Sequence, residues 1–308
     1  MELLLYSILL IASLSVLIKS ADFFVEGAKD IGIKMGISPF VIGVTVVALG
    51  TSLPELATSI SAVLNDTSEV VIANVVGSNI ANLLVVIGIA AIISRRLTFE
   101  YKVLDIDLPL LFISSLLMYL VLLDRDLSLS DSLLFLFGFV IFMLNSVTSG
   151  AYSYKVEPRL QRKAWWYVIG GSILIWLSSE YTIVAIKKLS MLMGVPTDLI
   201  AVTAVALGTS LPEVMVSVMA ATKGQNAIAV GNVLGSNIFN TYFVTTIPSF
   251  LGKLKVPDAF VQFHIPFMVG MTVVFAVISL TRRISLWEGC MLIAFYIYYL
   301  SHIMNEIQ

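Results

Sequence analysis

Two glutamates stand alone in long apolar stretches of this sequence. Glu55 is the only charged residue between positions 34 and 66, and Glu213 is the only one between positions 198 and 223. A carboxylate at the depth of a bilayer core costs at least about 2.5–3.5 kcal/mol, so it marks a functional site by default. We interpret both residues as functional rather than as protonated clamps between helices.

Oxygen-bearing residues recur at helical spacing around each glutamate, and residues three or four apart share one helix face. The two faces hold Ala48, Thr51, Ser52 and Glu55, and Ala206, Thr209, Ser210 and Glu213. The following segments add Asn74, Ser78 and Asn82, and Asn232, Ser236 and Asn240. Asn74, Asn79, Asn232 and Asn237 suit hydrogen bonds between helices as readily as ligation. Gly77 and Gly235 would allow close helix approach.

Prolines next to the glutamates predict interrupted helices. Pro54 and Pro212 cannot donate to the carbonyl groups of Gly50 and Gly208, so backbone oxygens there become available. Irregular backbone at membrane depth is tolerated where it lines a cavity.

The ligand atoms offered by these residues are all oxygens. The two histidines and the single cysteine, Cys290, lie elsewhere, and such a set favours hard cations over zinc, copper or iron. Ca²⁺ takes six to eight oxygens, including carboxylates. Two glutamates neutralise one Ca²⁺, or they can be shared by several Na⁺ ions, so the two ions would compete for one site.

An internal repeat pairs the two sets of residues. Residues 44–59 read VTVVALGTSLPELATS, residues 202–217 read VTAVALGTSLPEVMVS, and twelve of the sixteen positions are identical at a shift of 158. At the same shift, residues 74–82 and 232–240 share seven of nine positions. A constant shift without gaps indicates duplication, and fixed-length repeats of this kind decide the fold.

The rest of the chain must place these residues in a membrane. The 308 residues are 58% hydrophobic and 12% charged, about half the charged fraction of a soluble domain. We predict ten helical spans, since lipid leaves unpaired backbone groups unsatisfied. They cover about 2–26, 38–64, 69–94, 104–123, 129–150, 164–188, 196–222, 226–251, 260–281 and 284–304.

The fold class is therefore an all-α polytopic membrane protein of two five-helix repeats. An odd number of spans inverts the second copy, a common plan for secondary transporters. We assign residues 1–150 to the first repeat, 151–163 to a short cytoplasmic linker and 164–308 to the second, inverted repeat.

Basic residues give the orientation, because cytoplasmic connections carry more of them. With both termini outside, the inside connections hold twelve: Lys29, Lys34, Arg95, Arg96, Lys102, Lys155, Arg159, Arg162, Lys163, Lys223, Arg282 and Arg283. The outside connections hold five: Arg125, Lys187, Lys188, Lys253 and Lys255. We therefore expect a multi-pass cell-membrane protein with extracellular termini. We interpret Asp22 and Glu180, which match across the repeat, as solvated residues near helix ends.

At GTSLPE (50–55 and 208–213) and GSN (77–79 and 235–237) the chain resembles the cation/Ca²⁺ exchanger superfamily, and within it the prokaryotic sodium/calcium exchangers. The resemblance implies ions bound by the second, third, seventh and eighth helices, with the first and sixth helices sliding across that core. It makes Glu55 and Glu213 the central ligands. The further ligands that it implies are Thr51, Ser52, Thr209, Ser210, Ser78 and Ser236, with backbone oxygens of Ala48 and Ala206.

Position 240 separates this chain from some members of that superfamily. Potassium-dependent exchangers are among those with aspartate where this chain has Asn240, and the repeat partner Asn82 is also asparagine. We include both in the predicted site. Two central acids rather than three argue against potassium dependence.

The leading hypothesis is Na⁺/Ca²⁺ antiport by a single chain, with no cofactor and no enzymatic activity. A Ca²⁺/H⁺ or other cation/Ca²⁺ antiporter on the same scaffold is the alternative. An ion channel is disfavoured by the inverted halves, and a hydrolase using Ser52 or Ser210 lacks a nearby histidine base. A net charge of −2 gives no sign of nucleic-acid binding.

Overall fold

The computed structural model describes residues 2–98, 107–149, 163–193 and 209–307. Almost all of these residues are helical. The helices of the first half are α1 Glu2–Met35, α2 Pro39–Leu64, α3 Glu69–Ser94, α4 Leu108–Val121 and α5 Leu129–Ser149. Those of the second half are α6 Lys163–Leu192, α7 Leu211–Thr222, α8 at 226–249, α9 Phe260–Ser279 and α10 Leu286–Ile307.

Six of the described helices are long and apolar enough to cross a membrane, namely α1, α2, α3, α5, α6 and α9. The described parts of α4 and α7 are shorter apolar helices. Residues 104–106 and 196–208 of the predicted fourth and seventh spans lie outside the described residues, as does the predicted linker at 151–162. Lys163, which we assigned to that linker, begins α6.

Two helices are longer than predicted, and they pack against each other along their lengths. α1 continues to Met35 rather than ending near 26, and α6 continues to Leu192 rather than near 188. Glycine at position 27 permits this close contact, since a Cβ added there would lie 2.7 Å from the Ala164 carbonyl oxygen. Gly36 then ends α1 in the left-handed conformation, at φ 66°, which costs glycine little.

A two-stranded ribbon corrects the prediction that the chain is entirely helical. Strands β1 (Arg96–Thr98) and β2 (Arg283–Ser285) pair antiparallel, with Leu97 opposite Ile284. Both of these side chains are fully buried while Arg96 and Arg283 are exposed. The ribbon ties the end of α3 to the start of α10.

α2 and α8 pack closely against each other across the two halves. A Cβ added at Gly231 of α8 would lie 2.5 Å from the Phe40 carbonyl oxygen of α2. At Gly235 an added Cβ would collide with the Val44 carbonyl oxygen, which confirms the predicted close approach there. An added Cβ at Gly77 meets no described atom within 4 Å. Its counterpart surface, 202–206, lies outside the described residues, so that expectation stays a prediction.

Candidate cation site

The irregular turn of α2 is not where Pro54 predicted it, whereas α7 begins at Leu211 with Pro212 in its first turn. Ala48–Leu64 is continuous α-helix through Pro54, so the expected break at Gly50 is wrong. The irregular turn lies one turn earlier, where Gly43–Val47 form a π-helix. Two more π-turns begin at Asn82 and Asn240, the matched asparagines of the repeat. Such π-bulges in α-helices occur frequently at functional sites.

Both glutamates are completely buried. The side chains of Glu55 on α2 and Glu213 on α7 have 0% exposure, and their carboxyl groups are close enough to interact electrostatically. Ser52 Oγ donates to Glu213 Oε1 at 3.2 Å. The two Glu55 oxygens and Glu213 Oε2 have no hydrogen-bond partner among the described residues. Three buried carboxylate oxygens are thus available to a ligand.

Predicted hydroxyl groups of the two halves contact each other across the repeat. Thr51 Oγ1 lies 3.2 Å from the Ala48 carbonyl oxygen, 3.1 Å from Asn232 Oδ1 and 3.4 Å from Ser236 Oγ. Ser78 Oγ lies 3.0 Å from Thr209 Oγ1. The structure therefore brings predicted residues of one half into direct contact with those of the other.

The remaining predicted side chains are buried but have fewer hydrogen bonds to the described residues. Ser210 Oγ has no partner among the described residues. The same holds for both amide atoms of Asn82 and of Asn240, all within side chains of 0% exposure. Ala206, whose backbone oxygen the resemblance implied, lies outside the described residues, as does Gly208.

Four asparagines suited both ion ligation and hydrogen bonding in the sequence analysis, and in the structure they donate hydrogen bonds between helices. They are Asn74, Asn79, Asn232 and Asn237. Asn74 Nδ2 lies 3.1 Å from the Glu55 carbonyl oxygen, and Asn79 Nδ2 lies 3.3 Å from that of Asn237. Asn237 Nδ2 in turn lies 3.4 Å from the Asn79 carbonyl oxygen. The Asn79 and Asn237 bonds are exchanged reciprocally between α3 and α8, as two-fold related elements would exchange them.

Sequence reasoning missed two buried serines, Ser59 and Ser217. Each accepts a hydrogen bond from a site-helix asparagine, Asn74 at 3.1 Å and Asn232 at 2.9 Å. The available signal was their identity at the last position of the repeated segment.

The chemistry of the site is that of a hard-cation site. Among the described residues no group of three or more His, Cys, Asp and Glu side chains is arranged to hold a metal ion. The available ligands are two carboxylates together with hydroxyl, amide and carbonyl oxygens, which Ca²⁺ and Na⁺ accept.

Comparison with known proteins shows the family. The sequence profile of the family described as "Sodium/calcium exchanger protein" matches residues 5–148 and 163–305, which is most of the chain. The chain belongs to this sodium/calcium exchanger family. It is a multi-pass membrane antiporter that exchanges Ca²⁺ for another cation. The family is a class of transporters rather than enzymes.

Individual relatives match nearly the whole length of this exchanger. It is 33% identical over 310 residues to "Putative antiporter CaxA" of Alkalimonas amylolytica, covering 95% of this chain and 97% of the relative. It is 31% identical over 342 residues to "Sodium/calcium exchanger MaX1" of Methanosarcina acetivorans, with the same coverage of each chain. A solved structure of the sodium-calcium exchanger NCX_Mj, soaked with Na⁺ and Sr²⁺, matches with a TM-score of 0.86 at 27% identity, over 97% of this chain and 98% of that one.

Proposed function

We propose that this exchanger moves Ca²⁺ against Na⁺ by alternating access, with both ions competing for the site between Glu55 and Glu213. One observation carries the proposal: three oxygens of two fully buried carboxylates lack partners among the described residues, and the Ser52 hydroxyl of one half donates to the Glu213 carboxylate of the other. A buried charge without a partner is costly, so a cation that fills the site supplies the missing interactions.

The ligands of the proposed site come from the repeated segments. They are Glu55, Glu213, Thr51, Ser52, Thr209, Ser210, Ser78, Ser236, Asn82 and Asn240, with backbone oxygens of Ala48 and Ala206. Two carboxylates match the charge of one Ca²⁺, and neutral oxygens allow several Na⁺ ions to share them. Mutually exclusive occupancy by the two ions is what antiport requires.

The proposed architecture is ten spans in two inverted halves, residues 1–150 and 164–308. The reciprocal bonds of Asn79 and Asn237, and the matched bonds of Asn74 and Asn232, support a two-fold relation between the halves. A site assembled from both halves of one chain supports a monomer as the functional unit. The twelve-to-five distribution of basic residues supports extracellular termini, which epitope tags on intact cells would test.

Purified protein in liposomes tests the coupling ion. We expect ⁴⁵Ca²⁺ uptake driven by an outward Na⁺ gradient, unaffected by K⁺ and absent when only a pH gradient is imposed. Uptake driven by the pH gradient without Na⁺ would instead assign Ca²⁺/H⁺ exchange.

Matched glutamine variants test the site in the same liposomes. Glu55→Gln and Glu213→Gln should each abolish uptake, whereas Glu69→Gln, at an exposed glutamate in the first turn of α3, should not. Normal uptake by either site variant would refute the assignment of the carboxylates.

A further inference from the structure

The backbone carbonyl group of each site glutamate accepts a hydrogen bond from an asparagine of the neighbouring helix. Asn74 Nδ2 lies 3.1 Å from the Glu55 carbonyl oxygen and 3.1 Å from Ser59 Oγ. Asn232 Nδ2 repeats the arrangement at Glu213, 3.5 Å from its carbonyl oxygen and 2.9 Å from Ser217 Oγ. All of these side chains are buried.

The amide orientation follows from the chemistry of the partner. A backbone carbonyl oxygen only accepts hydrogen bonds, so the asparagine atom that faces it must be the NH₂ group. That nitrogen cannot ligate a cation. Because both halves show the same bond to the glutamate carbonyl, these amide nitrogens contact the backbone of the ligand-bearing turn.

We infer that Asn74 with Ser59, and Asn232 with Ser217, are positioning residues that fix the backbone turns carrying Glu55 and Glu213. This inference rests on the proposed function, since it concerns the affinity of the same site. A ligand held in place before the ion arrives loses less conformational freedom on binding, so the site binds more tightly.

The two positioning pairs differ in their further contacts, and Ser217 Oγ also donates to the Ala229 carbonyl oxygen at 3.4 Å. Asn232 Oδ1 lies 3.1 Å from Thr51 Oγ1, so it joins the Glu213 turn of one half to a hydroxyl ligand of the other. Asn74 Oδ1 is buried with no partner among the described residues, so the matching bond to Thr209, the repeat counterpart of Thr51, is not made. Thr209 lies 3.0 Å from Ser78, just as Thr51 lies 3.4 Å from Ser236. Asn232 therefore aligns ligands of both halves, and Asn74 aligns one.

Serine-to-alanine variants test the inference with little change in volume. In proteoliposomes, Ser59→Ala and Ser217→Ala should raise the KM for ⁴⁵Ca²⁺ about three- to tenfold, as expected for the loss of one hydrogen bond. The maximum rate per folded protein should stay within about twofold, since a raised KM at constant rate marks lost ground-state binding. Asn232→Ala should raise the KM more than Asn74→Ala.

Ser114→Ala is the matched control. Ser114 is also fully buried, but its hydroxyl donates only within α4, to the Leu111 carbonyl oxygen at 2.7 Å. Its KM should equal that of the wild type, and thermal unfolding of every variant reports folding separately. If Asn232→Ala fails to fold, the serine pair decides the question.

Direct ⁴⁵Ca²⁺ binding to detergent-solubilised protein separates this inference from the proposed function. Wild-type protein that binds Ca²⁺ but shows no Na⁺-driven uptake would refute the antiport, while weaker binding by Ser217→Ala would still support positioning. Binding and KM values for Ser59→Ala and Ser217→Ala that match Ser114→Ala would overturn the inference. Wild-type protein that binds no Ca²⁺ would overturn both.

Discussion

Asp22 Oδ1 and Lys223 Nζ form an ion pair of 2.6 Å that joins the middle of α1 to the end of α7. Lys223 Nζ also donates to the Asp22 carbonyl oxygen at 3.3 Å. The two side chains are only 27% and 33% exposed, so the interpretation of Asp22 as a solvated residue near a helix end is wrong.

The repeat counterparts of this pair do not touch in the same way. At the shift of 158, Asp22 corresponds to Glu180 and Lys223 corresponds to Asn65. Glu180 and Asn65 line a cavity of about 400 Å³ that also includes Ser61 and extends to Pro54, next to Glu55. An ion pair thus joins α1 and α7 at one of the two repeat-related positions, whereas the residues at the other position line a cavity.

Removing the ion pair between Asp22 and Lys223 should lower the population of the conformation in which the Glu180 cavity is open. We expect Lys223→Asn, which copies the residue of the other half, to reduce the ratio of open to closed forms at the Glu180 cavity by up to about fivefold, the upper range for a partly exposed pair. The measurement is the rate at which a membrane-impermeant maleimide labels Ser61→Cys in a Cys290→Ser background.

A second ion pair serves as the control for that experiment. Arg125 and Asp258 lie 3.0 Å apart, are 51% and 64% exposed, and do not involve α1. Arg125→Asn should leave the labelling rate at Ser61→Cys unchanged. Equal rates in Lys223→Asn and Arg125→Asn would show that the Asp22 pair does not govern access.

The buried carboxylates should make the ion-free protein less stable than its neutral variants. Glu55→Gln replaces a buried carboxylate, whose oxygens have no partner among the described residues, with a neutral amide, so we expect the ion-free unfolding free energy to rise by about 1 kcal/mol. Added Ca²⁺ should stabilise the wild type and leave Glu55→Gln unchanged, because only a bound ligand shifts the midpoint. Stabilisation of Glu55→Gln by Ca²⁺ would contradict the site.

Glycine contacts between the halves give a prediction on packing alone. At Gly231 an added Cβ would lie 2.5 Å from the Phe40 carbonyl oxygen, and neither backbone can yield easily. Gly231→Ala should therefore lower stability by roughly 1–3 kcal/mol, as overpacking does. At Gly270 an added Cβ meets no described atom within 4 Å, so Gly270→Ala should not destabilise. Thermal unfolding in detergent compares the two.

The carboxylate pair could be predicted because its signal is local and doubled. Glu55 and Glu213 are isolated charges in apolar runs, and the shift of 158 pairs them without any structure. The same alignment correctly matched Asn74 with Asn232, although it did not decide between ligation and hydrogen bonding. That decision required the direction of each amide, which depends on how the helices pack.

Other features depend on contacts that the sequence does not encode locally. The ribbon of Arg96–Thr98 and Arg283–Ser285 has strands of three residues, too short for an alternating pattern. Pro54 was expected to interrupt α2, but the helix continues there and the π-turn at Gly43–Val47 carries the irregularity, against the closely packed α8. Tertiary packing therefore determines where the ribbon and the π-turn form.

Ser52 and Ser210 occupy equivalent repeat positions but differ in their hydrogen bonds, so their variants can distinguish a role in folding from a role in ion binding. Ser52 Oγ donates to Glu213 Oε1 at 3.2 Å, whereas Ser210 Oγ has no partner among the described residues. Ser52→Ala should therefore cost about 1–3 kcal/mol of ion-free stability and Ser210→Ala close to none. If both hydroxyls ligate the ion, the two variants should weaken Ca²⁺ binding to a similar degree. Thermal unfolding without ions and ⁴⁵Ca²⁺ binding test this together, and equal ion-free stabilities would contradict the asymmetry.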